Sequence, residues 1–374
     1  MSTYPENSIG LVVPKKVEFK EPFQLDSGNV LDGFELVYET YGTLNADASN
    51  AVLICHALTG DHHAAGYHQG AEKPGWWNVA IGPGKPVDTN RFFVVSVNNI
   101  GSCMGSTGPL STNPSTGEPY GRNFPIVTIQ DWVRSQSLLA DYLGITQWAA
   151  GVGGSMGGMQ VLQWAIDLPG RIRTTAIIAA APLLSAQNIA FNEVSRTAIR
   201  SDPEYHDGNY AKHGTRPSKG LSIARMVGHI TYLSNDSMAA KFGRARPEGK
   251  LSFGYGVDFE VESYLRYQAQ RFAERFDANS YLLLTKTLDY FDPARDYDQD
   301  LVKACQQIKA RNLVLSFKED WRFSSARSKE IVKAMLDAGC NVSYADLDSR
   351  VGHDDFLLDI PQYIDILSAW MEQV

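Results

Sequence analysis

Short apolar runs alternate along the chain with longer segments in which apolar residues recur every three or four positions. Such runs are typical of strands covered on both faces of a sheet, and the longer segments are typical of amphipathic helices. The pattern predicts strands at 34–41, 51–55, 92–97, 146–152, 174–181, 312–317 and 341–347. It predicts helices at 128–144, 159–166, 325–338 and 360–372. Strand 34–41 alternates apolar and polar residues, so we expect it to be half-exposed.

The middle of the chain has a different composition. From about Leu184 to Pro293 it is rich in Arg, Tyr, Asp and Ser, with helical stretches and no clear buried strand. Strand–helix alternation on both sides predicts one α/β core, residues 1–183 and 294–374, with a helical cap inserted at 184–293. Two tandem domains fit less well, because the last strands need the earlier sheet to pair with.

Composition narrows the class of protein. Of the 374 residues, 44% are hydrophobic and 20% charged, which is ordinary for a soluble globular protein. The net charge of −8 disfavours a nucleic-acid partner, because phosphate backbones are bound by basic surfaces. No apolar run is long enough for a membrane span, and the polar N-terminus does not resemble a signal peptide. We therefore expect a cytoplasmic protein.

The cysteines point to the same compartment. They are scattered, and no Cys-x-x-Cys pair occurs among Cys55, Cys103, Cys305 and Cys340. This spacing disfavours a disulfide or metal framework and favours a reducing environment.

Candidate chemistry begins at a Gly-x-Ser-x-Gly element centred on Ser155. A predicted strand precedes it and a predicted helix follows. At such a turn the serine is held in strained backbone geometry, with its hydroxyl exposed and a helix N-terminus behind it. Gly153 and Gly157 fit a turn too tight for side chains. The context favours a nucleophile over a glycine-rich loop that serves packing alone.

A serine nucleophile needs a base and a carboxylate that orients the base. In α/β-hydrolase order both follow the serine, each after a late strand. Asp320 follows strand 312–317, and His353 follows strand 341–347. Either alone fits a loop carboxylate or a surface histidine equally well. Their joint placement with Ser155 predicts a triad on an α/β-hydrolase fold, with a mostly parallel central sheet.

An acyl-transfer intermediate also needs two backbone donors for its oxyanion. We expect the amide of Met156 as one donor and an amide of the loop 56–60, at Leu58, as the other. His56 is interpreted as shaping that loop. The nearby histidines at 62, 63 and 68 lack the spacing of a zinc site, so no metal is predicted.

Several segments then resemble one family. They are Tyr-Glu-Thr-Tyr-Gly at 38–42, His-Ala-Leu-Thr-Gly at 56–60, Pro-Gly-Trp-Trp at 74–77, the stretches 98–103 and 105–109, and Gly-Gly-Ser-Met-Gly-Gly-Met-Gln at 153–160. Over nearly its whole length, cap included, the chain resembles the homoserine O-acyltransferases of methionine biosynthesis, in the α/β-hydrolase superfamily.

The resemblance implies roles for particular residues. An acyl group would pass from coenzyme A to Ser155 and then to the hydroxyl of L-homoserine, with His353 as base and acid and Asp320 as its partner. Arg225 would hold the homoserine carboxylate and Asp354 its ammonium. One cation and one anion suit a zwitterion, although spacing alone would leave Arg225 as a surface arginine. The resemblance implies no permanent cofactor. It does imply a homodimer that forms through the caps.

The acyl donor is indicated by Arg322. Acetyl-using relatives usually resemble Asp-x-Leu-Phe after the acid, whereas this chain has Asp320-Trp321-Arg322-Phe323. A guanidinium can bind the terminal carboxylate of a succinyl group and has nothing to bind on an acetyl group. We therefore expect succinyl-CoA, with acetyl-CoA as the alternative if Arg322 points to solvent or pairs with Glu319.

Two other functions remain open on the sequence. A serine esterase or other hydrolase would use the same triad. A non-catalytic binding protein could share the scaffold, although an intact Ser155, Asp320 and His353 disfavour it.

Overall fold

The computed structural model describes residues 4–247 and 249–374. Residues 1–3, in the N-terminal segment predicted not to be a signal peptide, and residue 248, in the predicted cap, lie outside this description. The main feature is an eight-stranded sheet. Its strands are β1 (Lys15–Phe19), β2 (Phe34–Tyr41), β3 (Ala51–Cys55), β4 (Phe93–Val97), β5 (Ala150–Gly154), β6 (Thr174–Ile178), β7 (Arg311–Phe317) and β8 (Val342–Leu347).

The strands lie in the order β1-β2-β4-β3-β5-β6-β7-β8. β2 pairs antiparallel with both β1 and β4, and the remaining pairs are parallel. Two short pairs lie outside this sheet, Phe23–Gln24 with Val30–Leu31 and Ile81–Gly82 with Val87–Asp88. The mostly parallel sheet confirms the predicted fold class.

Every strand that the sequence predicts is present, with small shifts at the ends. The strand expected at 146–152 begins at Ala150 and continues through Gly154, because the glycines belong to the strand as well as to the turn. β1 was not predicted. Its sequence, Lys-Lys-Val-Glu-Phe, has one buried residue, Val17, as suits a partly exposed edge strand.

The helices are α1 (Ile129–Tyr142), α2 (Met156–Asp167), α3 (Ala186–Arg200), α4 (Ser218–Tyr232), α5 (Asn235–Lys241), α6 (Glu260–Arg275), α7 (Ala278–Asp289), α8 (Leu301–Cys305), α9 (Ser325–Asp337) and α10 (Pro361–Met371). Short 3-10 turns lie at 121–123, 203–208, 210–213 and 353–357. α1 begins where expected, because Thr128 and Asp131 form a capping box. No helix in the described ranges is long and apolar enough to cross a membrane.

The sheet separates two hydrophobic cores. Side chains of β3 alternate between them, with Leu53 and Cys55 in one core and Val52 and Ile54 in the other. The first core includes Trp132 of α1 and Trp164 of α2, and the second includes Trp370 of α10. Both faces of the central strands are therefore covered, which explains their continuous apolar runs.

Helices α3 to α8 lie between β6 and β7, and α3 to α7 fall in the segment where the sequence predicts a cap. α4 packs against both α3 and α6. The end of α4 meets the loop before His353, where the N–H of Ser234 donates to the carbonyl of Val351 at 2.6 Å. The helical segment thus contacts the core beside the predicted site. The limits of the cap at 184 and 293 stay a prediction.

Candidate active site

Ser155 lies between the last residue of β5 and the first residue of α2. Its φ of 58° and ψ of −125° place it in a backbone region that side-chain-bearing residues rarely adopt. The neighbouring glycines allow this turn. A Cβ on Gly153 would overlap the carbonyl of Gly157, and a Cβ on Gly157 would overlap the carbonyl of Cys55. The glycines of the motif are therefore required by the close approach of backbone segments.

The three residues of the predicted triad form one hydrogen-bonded chain. Oγ of Ser155 lies 2.7 Å from Nε2 of His353, and Nδ1 of His353 lies 2.7 Å from Oδ2 of Asp320. All three side chains are buried. Because the carboxylate can only accept, Nδ1 carries the proton and Nε2 is free to accept the proton of the serine.

Backbone and aromatic contacts hold this chain in place. Oδ1 of Asp320 accepts the N–H groups of Arg322 and Phe323 at 2.9 and 2.8 Å. The ring of Phe323 meets the imidazole of His353 edge-on, with centroids 5.1 Å apart. The turn that follows β7 thus positions both the predicted acid and the predicted base.

Two backbone N–H groups are available beside Ser155. Neither the N–H of Met156, at the first turn of α2, nor that of Leu58 donates to another described residue. Both residues are buried, and Leu58 lines the same cavity as Ser155. The two amides predicted for an oxyanion hole are therefore free to donate to a ligand.

His56 supports the loop that carries Leu58. Its Nδ1–H donates to the carbonyl of Ala57 at 2.8 Å, and its Nε2 accepts the N–H of Asn99 at 3.2 Å. Burial lowers the pKa of His56, so the ring is neutral and uses both nitrogens within the protein. This geometry is consistent with a loop-shaping residue.

Gln160, the last residue of the Gly-Gly-Ser-Met-Gly-Gly-Met-Gln stretch, ties this loop to α2. Its Nε2 donates to the carbonyl of His56 at 2.9 Å, and its Oε1 accepts from Asn99 and Gln136, each at 2.9 Å. This contact could not be predicted from the sequence, because a buried glutamine on a helix resembles any other polar position.

A cavity of about 90 Å³ lies over the serine. Its walls include the residues predicted to bind homoserine or to select the acyl donor, the predicted nucleophile and base, and one of the two predicted oxyanion donors. They are Leu58, Ser155, Arg225, Arg322, His353 and Asp354. Thr59, Tyr232, Phe323 and Phe356 also line it, and the sequence did not indicate them.

Arg225 is held by α4 and by the loop after β3. Its Nε donates to Nε2 of His229 at 3.1 Å, and its Nη1 donates to Oγ1 of Thr59 at 3.4 Å. Burial, together with the charges of Arg225 and Lys241, lowers the pKa of His229 to about 3. His229 is therefore a neutral acceptor that orients the guanidinium. Its position one turn after Arg225 is the signal that could have identified it.

Asp354 and Arg225 line the same cavity, and their charges interact. Among the residues that the structure describes, none donates a hydrogen bond to its carboxylate. Burial raises the pKa of Asp354, and the charges of His353 and Arg225 oppose that effect. A carboxylate that receives no hydrogen bond from the protein suits a cationic ligand in this cavity.

Arg322 is buried, with 6% of its surface exposed. Its Nη1 donates to Oγ1 of Thr231 at 2.9 Å, and its guanidinium lies 5.2 Å from the ring centre of Tyr232. Because it is buried, its side chain does not point to solvent. No described carboxylate oxygen lies within 4 Å of it, so it does not pair with Glu319. The ring of Tyr232 lies near both Arg322 and Arg225.

The histidines after β3 gather around a residue that the sequence did not indicate, Glu39 of β2. Oε1 of Glu39 lies 2.5 Å from Nε2 of His68, and Oε2 lies 3.1 Å from Nδ1 of His63. Tyr41 donates to Oε2 at 2.7 Å. Despite burial, these hydrogen bonds lower the pKa of Glu39. They account for a buried carboxylate at this position.

Glu39, His62 and His68 also place one potential ligand atom each within 4.8 Å of one another. In the described part of the chain, this is the group that could hold a metal ion. The absence of zinc-type spacing in the sequence did not exclude such a cluster, because Glu39 comes from a distant strand.

Known proteins share this fold and most of this sequence. A family model described as alpha/beta hydrolase fold matches residues 50–320. A protein of Marinobacter nauticus named homoserine O-succinyltransferase is 60% identical over 371 residues, covering 99% of this chain and 97% of that protein.

Solved structures agree. The homoserine O-acetyltransferase of Bacillus anthracis superposes with a TM-score of 0.90 at 28% identity, covering 96% of this chain and 98% of the other. Esterase E22 superposes with a TM-score of 0.88 at 29% identity, covering 96% and 100%. These similarities confirm the resemblance seen in the sequence. The chain belongs to the homoserine O-acyltransferase family, which has the α/β-hydrolase fold.

Proposed function

We propose that this chain is an acyltransferase that moves a succinyl group from succinyl-CoA to the hydroxyl of L-homoserine, a step of methionine biosynthesis. The observation that carries the proposal is Arg322, a buried guanidinium without a carboxylate partner in the cavity of Ser155. The similarity to relatives named homoserine O-succinyltransferase supports it. Succinyl-CoA serves as co-substrate, and no permanent cofactor is needed.

In the first half-reaction, Oγ of Ser155 attacks the thioester carbonyl while Nε2 of His353 takes its proton. The oxyanion forms where the amides of Met156 and Leu58 can donate to it. Collapse of the intermediate breaks the carbon–sulfur bond, and His353 returns the proton to the leaving sulfur. The products are coenzyme A and an ester on Ser155. Asp320 stabilises the imidazolium in between.

In the second half-reaction, the hydroxyl of homoserine replaces the thiol. His353 takes its proton as the oxygen attacks the acyl-serine, and gives it to Oγ of Ser155 as that bond breaks. Arg225 would hold the carboxylate of homoserine, and Asp354 its ammonium. Two opposite charges on either side of one cavity fix both ends of a zwitterion and direct its hydroxyl. The small cavity limits the access of competing water.

Arg322 favours succinyl over acetyl for a physical reason. A buried guanidinium that keeps one hydroxyl partner, Thr231, retains donors for another acceptor. The terminal carboxylate of a succinyl group supplies that acceptor and neutralises the charge, whereas an acetyl group does neither. Acetyl-CoA is the alternative donor.

Three further proposals accompany this function. Helices α3 to α7 would act as the cap over the site, two chains would associate through their caps, and the enzyme would work in the cytoplasm. Light scattering after size exclusion measures the oligomeric state directly, and a monomer would contradict the homodimer.

The decisive experiment follows release of coenzyme A from succinyl-CoA and acetyl-CoA, each with and without L-homoserine. Release that depends on homoserine and occurs mainly with succinyl-CoA is expected. A preference for acetyl-CoA would contradict the role of Arg322. The similarity to esterase E22 makes hydrolysis the second candidate. Steady release that homoserine does not accelerate would support it. L-serine serves as the control acceptor.

A further inference from the structure

A second space, a groove, shares Arg225 with the active-site cavity. It has a volume of about 410 Å³, and Arg225 lines both spaces. Three more cationic side chains line the groove, Lys73, Arg271 and Arg275. Glu274 is its acidic lining residue. The groove therefore carries a cluster of positive charge in a chain whose net charge is −8.

These cations lack ion-pair partners. No described carboxylate oxygen lies within 4 Å of Lys73, Arg225, Arg271 or Arg275. Elsewhere in the protein, ion pairs at this distance are common and involve Arg122, Arg134, Arg171, Arg196, Arg200, Arg295 and Arg327. Because like charges repel, although water screens exposed ones, an anion bound among these cations would be favourable.

Packing holds the cations toward one another. Arg271 and Arg275 lie one turn apart on α6, and Nη1 of Arg271 donates to the hydroxyl of Tyr267 at 2.8 Å. The guanidinium groups of Arg275 and Arg225 lie 5.7 and 4.8 Å from the ring centre of Phe272. Rings from one helix thus position three guanidinium groups on a shared surface.

The cavity at Ser155 and the groove differ in volume. The cavity at Ser155, about 90 Å³, is far below the range of roughly 300–1,000 Å³ that drug-sized ligands occupy, whereas the groove lies within it. The nucleotide part of an acyl-CoA therefore cannot share the cavity with the thioester. It must lie outside, and its phosphates need cations.

We propose that Lys73, Arg271 and Arg275 bind phosphate groups of the acyl-CoA, while its thioester arm passes Arg225 into the cavity. The proposal rests on the proposed function, which makes an acyl-CoA the donor. Arginine suits phosphate because its planar group can donate two parallel hydrogen bonds. The bound group is either the 3′-phosphate or the diphosphate of coenzyme A.

The test compares donors that differ only in phosphate. Homoserine-dependent turnover is measured with succinyl-CoA, succinyl-3′-dephospho-CoA and succinyl-pantetheine. The variants are Arg271→Gln, Arg275→Gln and Lys73→Gln. Arg266→Gln is the matched control, because Arg266 is exposed on α6 and does not line the groove. Melting temperatures establish that each variant is folded.

We expect the ratio of kcat/KM for succinyl-CoA to that for succinyl-pantetheine to fall about tenfold or more in each arginine variant, and not in Arg266→Gln. If the 3′-phosphate is the bound group, succinyl-3′-dephospho-CoA will behave like succinyl-pantetheine. If the diphosphate is bound, it will behave like succinyl-CoA.

Two failures can be told apart. If the ratio of kcat/KM for succinyl-CoA to that for succinyl-pantetheine is unchanged in all three groove variants while the wild type turns over, the groove proposal is wrong and the proposed function stands. Absence of homoserine-dependent turnover with every donor in the wild type would overturn the proposed function, and the groove proposal with it.

Discussion

The backbone N–H of Arg322 donates to Oδ1 of Asp320 at 2.9 Å, while the other carboxylate oxygen of Asp320 holds His353. The residue proposed to select the acyl donor and the acid of the triad therefore share one turn. Since this hydrogen bond comes from the backbone, the side chain of Arg322 can be changed without removing a donor from Asp320. Donor selection and triad geometry are thus separable by mutation.

Arg322→Leu should lower kcat/KM for succinyl-CoA on the order of 10- to 100-fold, because a charged hydrogen bond contributes about 1.5–3 kcal/mol. Turnover of acetyl-CoA should fall far less. Thr231→Val is the matched control, since it keeps the guanidinium and removes the hydroxyl that anchors it. Initial rates with both donors provide the measurement. Equal losses with the two donors would refute a donor-selecting role.

Two substitutions of Ser155 should have the same effect on activity but different effects on stability. Ser155→Ala and Ser155→Gly should both abolish acyl-enzyme formation, as followed by the mass of the intact protein with succinyl-CoA. Glycine adopts the positive φ of this position without strain, whereas alanine keeps the strain. Relief of about 1–3 kcal/mol exceeds the extra entropy of unfolded glycine, about 0.4–1 kcal/mol.

Ser155→Gly should therefore melt at a higher temperature than Ser155→Ala. The two variants differ only in the Cβ atom and both lack the hydroxyl, so each controls for the other. Equal melting temperatures would mean that the turn is not strained. A mass increase of a succinyl group on either variant would exclude Ser155 as the nucleophile.

His229 predicts a pH dependence of stability. In the fold its pKa is lowered to about 3 from 6.5, chiefly by burial. Below pH 6.5 His229 takes up a proton in the unfolded chain but not in the folded protein, and this favours unfolding. As far as His229 is concerned, the free energy of unfolding is therefore highest above pH 6.5. It falls as the pH drops toward 3, by up to about 1.4 kcal/mol per pH unit.

Two substitutions separate this effect from the positioning of Arg225. His229→Gln removes the titrating group but keeps an acceptor for Arg225, whereas His229→Leu removes both. Because both variants lack the titrating histidine, their melting temperatures should vary less between about pH 5 and pH 8 than that of the wild type. The KM for homoserine should rise in His229→Leu and be largely restored in His229→Gln. A normal KM in His229→Leu would show that Arg225 needs no such support.

A substitution of Asp354 should weaken binding of the acceptor, homoserine, and leave the reaction with the donor, succinyl-CoA, unchanged. In Asp354→Asn the carboxylate that would receive the ammonium of homoserine is neutral, so the KM for homoserine should rise on the order of 10-fold or more. The burst of coenzyme A released without homoserine should persist, because the first half-reaction does not involve the acceptor. Rapid-mixing measurements of that burst check the prediction. Loss of the burst would place Asp354 in the first half-reaction.

Much of the site was predictable because the chemistry lies next to strand ends. Asp320 follows β7, His353 follows β8, and Ser155 follows β5 directly. The carboxyl ends of parallel strands meet at one edge of a sheet, so three strand ends predict one cluster. The flanking apolar runs were readable because both faces of these strands are buried.

Contacts between distant segments were not predictable in this way. The cluster around Glu39 combines one strand with histidines 24 and 29 residues later in the chain, and folding alone brings them together. β1 has too few buried residues to be detected as a strand. The groove depends on how α6 packs against α4. In this segment the sequence indicated helical stretches, but it did not indicate how they pack against one another.

The sequence by itself determined seven of the eight strands, the tight turn at Ser155 and the chain order of the proposed triad, because burial on both faces and tight turns restrict local residue choice. Only the tertiary structure decided that Arg322 is buried without a carboxylate partner, that His229 orients Arg225, and that four cations share one groove. The physical reason is that Coulomb interactions and hydrogen bonds depend on distances between segments, and local patterns of apolar residues do not encode those distances.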